Sequence, residues 1–571
     1  MSAPIKGFVQ RRRHPSSGNA CLLVIVDSQA SFWNHMIVDE TILRALEHFG
    51  MPYRLLDLAQ TALTANVLRE CACLVLAQSQ IGASLTRADA GLIAAAVQDG
   101  MGLVNFDNDL RLYPGDYRAI FGFERVNPHA GVTGVVRIRP VDHYISALQE
   151  PGAFHNLDCM ATFTIVEGWR PDVVPLAEGV LGKEQLIYIR HLTPGSSLIP
   201  GVYPILFAGR RGRGKAVQFT INPRVWRRAI YGHGRDLDDL FWRALVWAVR
   251  KPFAANLIPP FVTMSVDDCS GAHDFGYVDI ACRRGFIPMP SLFLKNVPPR
   301  LYPQIRGHLK RGTAQFNTHA VDYYDLMIFR FGQGERSDAE LKRRFDYEAA
   351  WWRKVGAWPG PALRFHWGEY GVRALPFLKR SGRLFFNPAL QTGLMKADHC
   401  MQDGFWPYNL QTRYYDYLPD DHDFYGFASV PGRYQEDFLV GNTICDGKAN
   451  DVEKAAATAA GQVVAGLRGG FYGECITHEQ RIAVLALEEW ERVLDSVERR
   501  LQKIEKIFTG HDQIGKYLRE RESIRLDRAE VKARRLSWKI TGRAKAPILL
   551  SVFEDEGDTV KRRFQTIPAN A

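Results

Sequence analysis

The feature that most restricts the fold is an alternation of short apolar runs with helix-like segments through residues 20–106. The apolar runs, each of which predicts a strand, are Cys21–Asp27, Tyr53–Leu58, Cys73–Ala77 and Gly102–Phe106. The helical patterns between them are Thr41–Phe49, Thr61–Glu70 and Arg87–Gln98. Strands joined by crossover helices pair in parallel, and the helices cover both faces of the sheet. We therefore predict an α/β fold that begins with a doubly wound parallel sheet.

The length of 571 residues predicts more than one domain. After the stiff linker Asn256–Pro260, strand and helix patterns recur for about 250 residues, which predicts a (β/α) barrel. Within it, Ile482–Phe508 has the apolar stripe of one long amphipathic helix. The predicted organisation is a disordered basic tail over 1–19, a doubly wound domain over 20–255, a barrel over 256–510, and a helical and β-rich C-terminal extension over 511–571.

The composition is that of a globular protein with a surplus of positive charge, because 46% of the residues are hydrophobic and the net charge is +10. The basic residues are scattered and accompany no nucleic-acid-binding motif, so we interpret them as solvated surface and expect no nucleic-acid partner. The nine cysteines have no C-x-x-C spacing, which argues against a disulfide framework or a zinc knuckle. No apolar run could span a bilayer and no signal sequence is recognisable, which favours a cytoplasmic location.

The chemistry of the second domain centres on two adjacent carboxylates, Asp267 and Asp268, which follow the apolar run Phe261–Val266. A buried parallel strand delivers the side chains at its carboxyl end to the edge where sites form in α/β folds. One carboxylate at such an edge could bind a metal ion while the other accepts a proton from water. The alternative is an ordinary strand followed by an Asp-rich turn.

Four stretches between residues 256 and 480 resemble, in chain order, the motifs of the metal-dependent polysaccharide deacetylases. The first is Ser265–Cys269, which resembles the family motif T-F-D-D-G with a cysteine in place of the glycine. The resemblance implies that Asp267 is the general base and that Asp268 is a metal ligand.

The second stretch, Phe316–Tyr323, resembles the H-x-x-x-H pair that supplies two metal ligands in the family. His319 takes the place of the first histidine, and Tyr323 stands in the place of the second. Because a catalytic zinc site usually has three protein ligands and one open position, a third ligand must come from elsewhere. The candidates are Asp322, His366 and His273.

The third stretch, Arg364–Gly368, resembles the motif R-x-P-Y-G, with His366 in the proline position. The resemblance implies that Arg364 orients the catalytic carboxylate and that the backbone N–H of Trp367 stabilises an oxyanion. The fourth stretch is a strand that ends in His478, which the resemblance makes the general acid. An imidazolium can protonate a departing amine near neutral pH.

Together these implications describe a hydrolase with a divalent metal, zinc being the expected ion, that removes an acyl group, most simply acetyl, from an N-acetylated sugar or polysaccharide. A predicted loop rich in aromatic residues and acids adds further candidates for contact with a carbohydrate substrate. They are Trp406, Tyr408 and Tyr415.

Two alternatives remain open from the residues alone. A glycoside hydrolase on the same barrel could pair Asp267 or Asp268 with a second carboxylate, either Glu369 or Glu474. A noncatalytic carbohydrate-binding or scaffold protein, descended from a deacetylase, would keep the fold and lack the metal.

The first domain is similar, over about residues 20–250, to the class I glutamine amidotransferase-like domains, which have a flavodoxin-like sheet. In that family a cysteine nucleophile lies on a tight G-x-C-x-G elbow after a strand. Here the corresponding strand leads into Gln78, Ser79 and Gln80, and Ser79 lacks the elbow glycines. We therefore predict a positioning or interaction role for this domain.

Overall fold

The computed structural model describes residues 16–186, 198–227, 232–330, 333–369, 371–387, 416–418, 421–427 and 437–569. The chain divides into two compact units. The first contains the described residues up to His233, then Leu237–Leu257 and those from Ser523 onward, and the second contains Gly234–Asp236 and Ile258–Glu522. The segment 511–571, predicted as a single extension, is thus divided: its helix belongs to the second unit and its strands to the first.

A nine-stranded sheet forms the centre of the first unit. Its strands are β1 (Leu22–Val26), β2 (Tyr53–Asp57), β3 (Cys73–Leu76), β4 (Gly102–Asn105), β5 (Phe123–Ile138), β6 (Phe154–Trp169), β7 (Val173–Leu181), β8 (Gly201–Arg211) and β9 (Gly214–Phe219). They lie in the order β2-β1-β3-β4-β9-β8-β7-β5-β6. Pairing is parallel from β2 to β9 and antiparallel beyond. The mixed α/β class with a parallel-rich sheet is confirmed.

The helices of the first unit are α1 (Phe32–Ile37), α2 (Arg44–His48), α3 (Ala65–Arg69), α4 (Arg87–Gln98), α5 (Gly115–Ile120) and α6 (Asp238–Ala248), and a π-helical turn, Val38–Leu43, joins α1 to α2. Helix α4 has the predicted bounds because a capping box fixes its start. The Thr86 hydroxyl accepts a hydrogen bond from the Asp89 N–H at 3.2 Å, and the Asp89 carboxylate accepts one from the Thr86 N–H at 2.9 Å. A short strand, β10 (Phe253–Ala255), follows α6.

The strands of the second unit are short. They are β11 (Phe261–Cys269), β12 (Pro288–Phe293), β13 (Asn317–Ala320), β14 (Phe329–Arg330), β15 (Gly334–Glu335), β16 (Ala362–Leu363), β17 (Phe385–Phe386), β18 (Asp416–Tyr417), β19 (Tyr425–Gly426), β20 (Gly473–His478) and β21 (Ile507–Phe508). Strand β11 pairs in parallel with β12, β20 and β21, and β12 pairs in parallel with β13. The apolar residues of β11 are buried in one core with Trp352 and Trp490, as expected of a strand that is covered on both faces.

A second sheet of this unit has the order β16-β17-β19-β18. Within the described residues, no hydrogen-bonded strand pair joins it to the five-stranded sheet around β11. The (β/α) barrel is therefore not confirmed and stays a prediction.

The helices of the second unit are α7 (Gly276–Arg283), α8 (Tyr302–Arg311), α9 (Asp338–Val355), α10 (Leu375–Arg380), α11 (Val452–Arg468), α12 (Glu479–Ile482), α13 (Leu487–Arg500) and α14 (His511–Glu522). The predicted single helix over Ile482–Phe508 is wrong, because α12 ends where it was to begin and Ile507–Phe508 is strand β21. The Ile507 N–H donates to the Pro260 carbonyl at 2.8 Å, a sheet hydrogen bond that replaces the helical one. Over the described ranges, no helix combines the length and the apolar character needed to cross a bilayer.

Two antiparallel hairpins complete the first unit and confirm the β-rich C-terminal part. They are β22 (Ile524–Lys532) with β23 (Arg535–Gly542), and β24 (Ile548–Glu556) with β25 (Thr559–Ile567). Strand β24 also pairs with β10. Residues 16–19 were predicted to belong to the disordered tail, but the Ser17 N–H donates to the Asp527 carbonyl at 2.8 Å and the Asn19 side chain bonds to Val531. These contacts order residues 16–19 against the first hairpin.

Candidate metal and catalytic site

The carboxyl end of β11 is irregular in a way that brings two consecutive carboxylates to one group of residues. Side chains on a regular strand alternate between its faces. Here the register with β12 shifts between Val266 and Cys269, and Asp268 adopts a left-handed backbone with φ of 58°. An irregularity of this kind redirects a side chain, and aspartate is among the residues that tolerate this conformation best. Asp267 contacts Arg364, and Asp268 contacts His319 and His366.

Three potential metal ligands converge from three segments of the second unit. The Asp268 Oδ1 atom lies 3.2 Å from His319 Nε2 and 3.1 Å from His366 Nδ1. The two histidine nitrogens lie 3.0 Å apart. All three side chains are buried. One carboxylate oxygen and two imidazole nitrogens are the donor types of catalytic zinc sites that keep an open position.

The hydrogen bonds around the two histidines agree with metal binding. His319 Nδ1 lies 2.7 Å from the Arg364 carbonyl, which can only accept, so a neutral His319 carries its proton on Nδ1 and has its lone pair on Nε2, where a metal ion could bind it. Rings of Phe293, Tyr323 and Trp367, with centroids 4.8–5.1 Å away, hold the ring of His366.

The charge of the Asp268 carboxylate also favours binding of a cation. Burial raises the pKa of Asp268, but the two adjacent histidines lower it well below its ordinary value, so the carboxylate is ionised. Among the described residues, Asp268 Oδ1 is buried without a well-directed hydrogen bond. A buried anionic oxygen beside two nitrogen atoms is stabilised by a bound ion, and the three residues therefore fit a divalent metal.

The third potential ligand atom is a nitrogen of His366, one of the three candidates for the missing ligand. Tyr323, in the expected place of a second histidine, packs its ring 5.1 Å from the His366 ring. The other two candidates do not join this group. Asp322 forms an ion pair with Lys295 at 3.1 Å, and His273 is exposed to solvent.

Asp267 belongs to a buried ionic network beside the metal ligands. Arg364 Nε lies 2.9 Å from its carboxylate, and Arg364 Nη1 lies 3.1 Å from Glu474 Oε1. Burial raises the pKa of Asp267, but the charge of Arg364, joined by two histidines, outweighs that effect and holds the pKa below its ordinary value. The base predicted from the sequence is therefore ionised and fixed by the arginine predicted to orient it.

Glu474 is fixed by Ser265, which lies in the first motif, and by His511, which no sequence motif indicated. It accepts a hydrogen bond from the Ser265 hydroxyl and lies 3.0 Å from His511 Nε2. Burial raises the pKa of Glu474, but the charges of Arg364 and His511 lower it to about 2. Arg364 thus lies between two ionised carboxylates, which restricts its orientation.

His478, the predicted general acid, lies opposite Asp267 in the register of β20 with β11. Its Nδ1 is 2.9 Å from Asp437 Oδ2, and the same oxygen accepts a hydrogen bond from the His478 backbone N–H at 3.0 Å. The Oδ1 atom of Asp437 accepts a hydrogen bond from the Thr477 hydroxyl at 2.7 Å. Burial lowers the pKa of His478, but the hydrogen bond to Asp437 and the charge of the nearby carboxylates outweigh it, so the pKa lies above its ordinary value. Sequence reasoning missed Asp437, because no motif or spacing links it to His478.

The carboxylates of the alternative glycosidase mechanism have other roles. Glu369 accepts hydrogen bonds from the backbone N–H groups of Met327, Ile328 and Phe329 at 2.6–3.0 Å, and burial raises its pKa to about 7. Glu474 is bound by Arg364 and His511 as described above. Both side chains are almost fully buried, which does not favour direct action on a sugar.

Two further sequence predictions have different outcomes. Trp367 has a left-handed backbone with φ of 52°, and its N–H as an oxyanion donor stays a prediction. Trp406, Tyr408 and Tyr415 lie outside the described residues.

No protein-family model matches the chain, and no curated protein matches it. Among solved structures it is similar to a protein from Mycobacterium smegmatis described as a polysaccharide deacetylase, at 12% identity and a TM-score of 0.34, over 48% of this chain and 96% of that one. It is also similar to the family 4 carbohydrate esterase from Streptomyces lividans, at 11% identity and a TM-score of 0.25, over 45% and 95% of the two chains.

For the glutamine amido transferase from Methylobacillus Flagellatus the identity is 12% and the TM-score 0.22, over 36% and 70% of the two chains. The β-galactosidase from Bacillus circulans is 14% identical with a TM-score of 0.25, over 43% of this chain, which spans 33% of that enzyme. Similarities at these TM-scores assign no activity, so a functional proposal depends on the residues of the site.

Proposed function

We propose that the second unit is a metal-dependent hydrolase that removes an acyl group, most simply N-acetyl, from a sugar or polysaccharide. The observation that carries the proposal is the convergence of Asp268, His319 and His366, whose ligand atoms lie 3.0–3.2 Å apart, beside an ionised carboxylate and a histidine–aspartate pair. The order of the four deacetylase-like motifs, Ser265–Cys269 through His478, supports acyl transfer from an aminosugar.

Asp268, His319 and His366 are the residues that would hold the divalent ion, and zinc suits a set of two nitrogens and one oxygen. When bound, such an ion supplies Lewis-acid polarisation of the acyl carbonyl and lowers the pKa of water. Neither histidine can act at the same time as a proton donor through its ligating nitrogen. Proton transfer therefore falls to groups outside this set.

Asp267 is the group placed to accept a proton from the attacking water. Its ionised state at neutral pH follows from the adjacent Arg364, and the arginine fixes the carboxylate in one orientation. The water oxygen then forms a bond to the acyl carbon as its proton passes to Asp267. The backbone N–H of Trp367 is the proposed donor to the oxygen that gains negative charge.

His478 is the proposed donor of a proton to the leaving amine. Asp437 accepts a hydrogen bond from its Nδ1, which leaves Nε2 to carry the proton that is transferred, and the raised pKa favours the protonated imidazole. The acyl C–N bond breaks as the amine nitrogen gains this proton. The products are a carboxylate, acetate for an N-acetyl substrate, and a free amine.

The proposal is tested with an N-acetylated chitooligosaccharide as substrate, by measuring released amine and bound zinc together. Wild type should release amine in a chelator-sensitive reaction. Asp267→Asn should lose at least about 100-fold in kcat while binding zinc normally, because it removes the base and leaves the ligands intact. Activity retained in Asp267→Asn would refute the assigned base.

Two other outcomes would replace the proposal altogether. Chelator-insensitive release of reducing ends would indicate a glycoside hydrolase. A purified protein that binds oligosaccharide but neither binds zinc nor releases amine would be the noncatalytic carbohydrate-binding protein.

A further inference from the structure

An exposed group of aromatic rings lies directly beside the metal ligands. The Tyr323 ring is 5.1 Å from the His366 ring and 5.9 Å from that of Trp367, and the Tyr324 ring is 4.9 Å from Tyr323. Tyr323 is 43% exposed and Tyr324 is 73% exposed. The rings thus run from the buried ligand His366 outward to solvent. We name Tyr323, Tyr324 and Trp367 the aromatic platform.

The segment that carries the two tyrosines is held in place by polar contacts. The Asp322 carboxylate accepts hydrogen bonds from the backbone N–H groups of Tyr324 at 3.0 Å and Asp325 at 2.9 Å, and it pairs with Lys295 at 3.1 Å. The Asp325 carboxylate in turn contacts Arg344 and lies 3.3 Å from Arg336. An Asx turn and these ion pairs restrict the backbone before any ligand binds, which lowers the entropic cost of binding.

The position of Tyr324 does not follow from packing of the second unit. Burying a large aromatic ring stabilises a protein by roughly 1.5–3 kcal/mol, yet Tyr324 leaves most of its surface in water. Exposed aromatic rings with a polar end are typical of surfaces that bind a partially apolar ligand. A hydroxyl group at the ring edge and the adjacent Asp322–Lys295 pair offer hydrogen bonds to the same ligand.

We propose that the aromatic platform stacks a pyranose ring next to the acylated unit, so that the substrate is an oligosaccharide or polysaccharide rather than a small acylated amine. A pyranose has an apolar C–H face that matches an aromatic ring and a rim of hydroxyls that matches the polar groups around it. This inference rests on the proposed deacylase function, because the platform adjoins the residues assigned to it. The other occupant to be considered is a planar aromatic or apolar group.

The experiment compares Tyr324→Ala with a matched control, Tyr347→Ala, which removes an exposed tyrosine from α9 (41% exposed). The probes are tetra-N-acetylchitotetraose and N-acetylbutylamine, which carries an acyl amide without a sugar. Tyr324→Ala should raise the KM and the Kd of the tetrasaccharide about tenfold, the order expected for one lost ring contact. Turnover of N-acetylbutylamine, and both parameters in Tyr347→Ala, should stay as in wild type.

The Kd, measured calorimetrically, separates this inference from the proposed function. A tetrasaccharide that binds in a Tyr324-dependent manner but releases no amine would support the platform and refute the hydrolase. Amine release with equal KM in wild type and Tyr324→Ala would support the hydrolase and overturn the platform. Tighter binding of N-phenylacetamide than of the tetrasaccharide, lost in Tyr324→Ala, would overturn the assignment of a sugar in favour of an aromatic occupant.

Discussion

At the scale of single residues, positions 323 and 366 differ most from what the motifs imply. The motifs place a nitrogen ligand at 323, whereas the Tyr323 ring packs against His366 and His366 Nδ1 lies 3.0 Å from His319 Nε2. His366 follows β16, and the hydrogen bond between His319 and the Arg364 carbonyl joins these two segments. Three potential ligand atoms thus lie together, although one of them comes from a part of the chain in which the motifs did not indicate a ligand.

The exchange of ligands can be tested by zinc affinity. His366→Ala removes one of three ligand atoms, and we expect the affinity for Zn²⁺ to fall by about 100-fold or more. Tyr323→Phe keeps the ring that packs on His366 and should leave the affinity within about twofold, because the phenol is not a ligand in this set. Competition with a chromophoric chelator at neutral pH measures both. Loss of affinity in Tyr323→Phe with none in His366→Ala would reverse the assignment.

The pH dependence of turnover tests the pairing of His478 with Asp437. A general acid must be protonated, so kcat/KM should fall as pH rises through the pKa of His478, which lies above its ordinary value of 6.5. Asp437→Asn removes the charge that favours the imidazolium and should move this basic limb to lower pH. The profile of kcat/KM against pH is the measurement. A limb that does not move would assign the acid to another group.

The presence or absence of a local sequence motif explains which residues of the site could be predicted. Asp267, Asp268, His319, Arg364 and His478 each carry a local motif at a strand end, and the structure brings them together at the carboxyl end of β11. Asp437 and His511 carry no such signal. Their roles arise from contacts with His478 and Glu474, across sequence distances that no local pattern reports.

At the scale of elements, prediction succeeded where local interactions define a boundary. Helix α4 covers Arg87–Gln98 as predicted, because Thr86 and Asp89 form a capping box at its start. The helix predicted over Ile482–Phe508 failed for the opposite reason. Its last residues pair with β11, and such a tertiary contact overrides the helical pattern.

Glu369 links two elements, and its removal should destabilise the second unit. Its carboxylate accepts hydrogen bonds from three consecutive backbone N–H groups, those of Met327–Phe329, at the start of β14. Glu369→Ala would leave these buried donors unpaired, and we expect a loss of about 3 kcal/mol or more. Differential scanning calorimetry of the full chain should detect it as a lower Tm. Glu369→Gln, which keeps an acceptor oxygen, should lose less, and equal losses in the two variants would contradict the role of the hydrogen bonds.

At the scale of the whole molecule, the chain leaves the first unit after Leu257 and returns to it at Ser523. The second unit is therefore inserted in sequence between β10 and the C-terminal hairpins. The return depends on the antiparallel pairing of β10 with β24, residues Phe253–Ala255 against Ser551–Phe553. The sequence predicted a β-rich C-terminal extension but not this pairing, because strand patterns do not specify a partner about 300 residues away.

The return of the chain also places Asp555 of β24 beside two lysines. Lys215 Nζ lies 2.6 Å and Lys251 Nζ 3.7 Å from its carboxylate, and the lysine side chains are only 6% and 5% exposed. Burial, together with the charge of Lys215, lowers the pKa of Lys251 to about 7, although the charge of Asp555 opposes both effects. The carboxylate thus stabilises a positive charge that burial disfavours.

Removing this carboxylate should destabilise the first unit in a pH-dependent way. A lysine with a depressed pKa in the folded state binds fewer protons than the unfolded chain, so its destabilising effect is present below its unfolded pKa and grows as pH falls towards the folded value. Asp555→Asn should therefore cost about 1–2 kcal/mol at pH 6, where Lys251 is charged, and less at pH 9, where it is neutral. The matched control is Asp558→Asn on the same hairpin, since Asp558 pairs with Arg210 but its side chain is 97% exposed. Calorimetric Tm values at the two pH values should fall in Asp555→Asn alone, and an equal loss at pH 6 and pH 9 would exclude Lys251 as the group that responds.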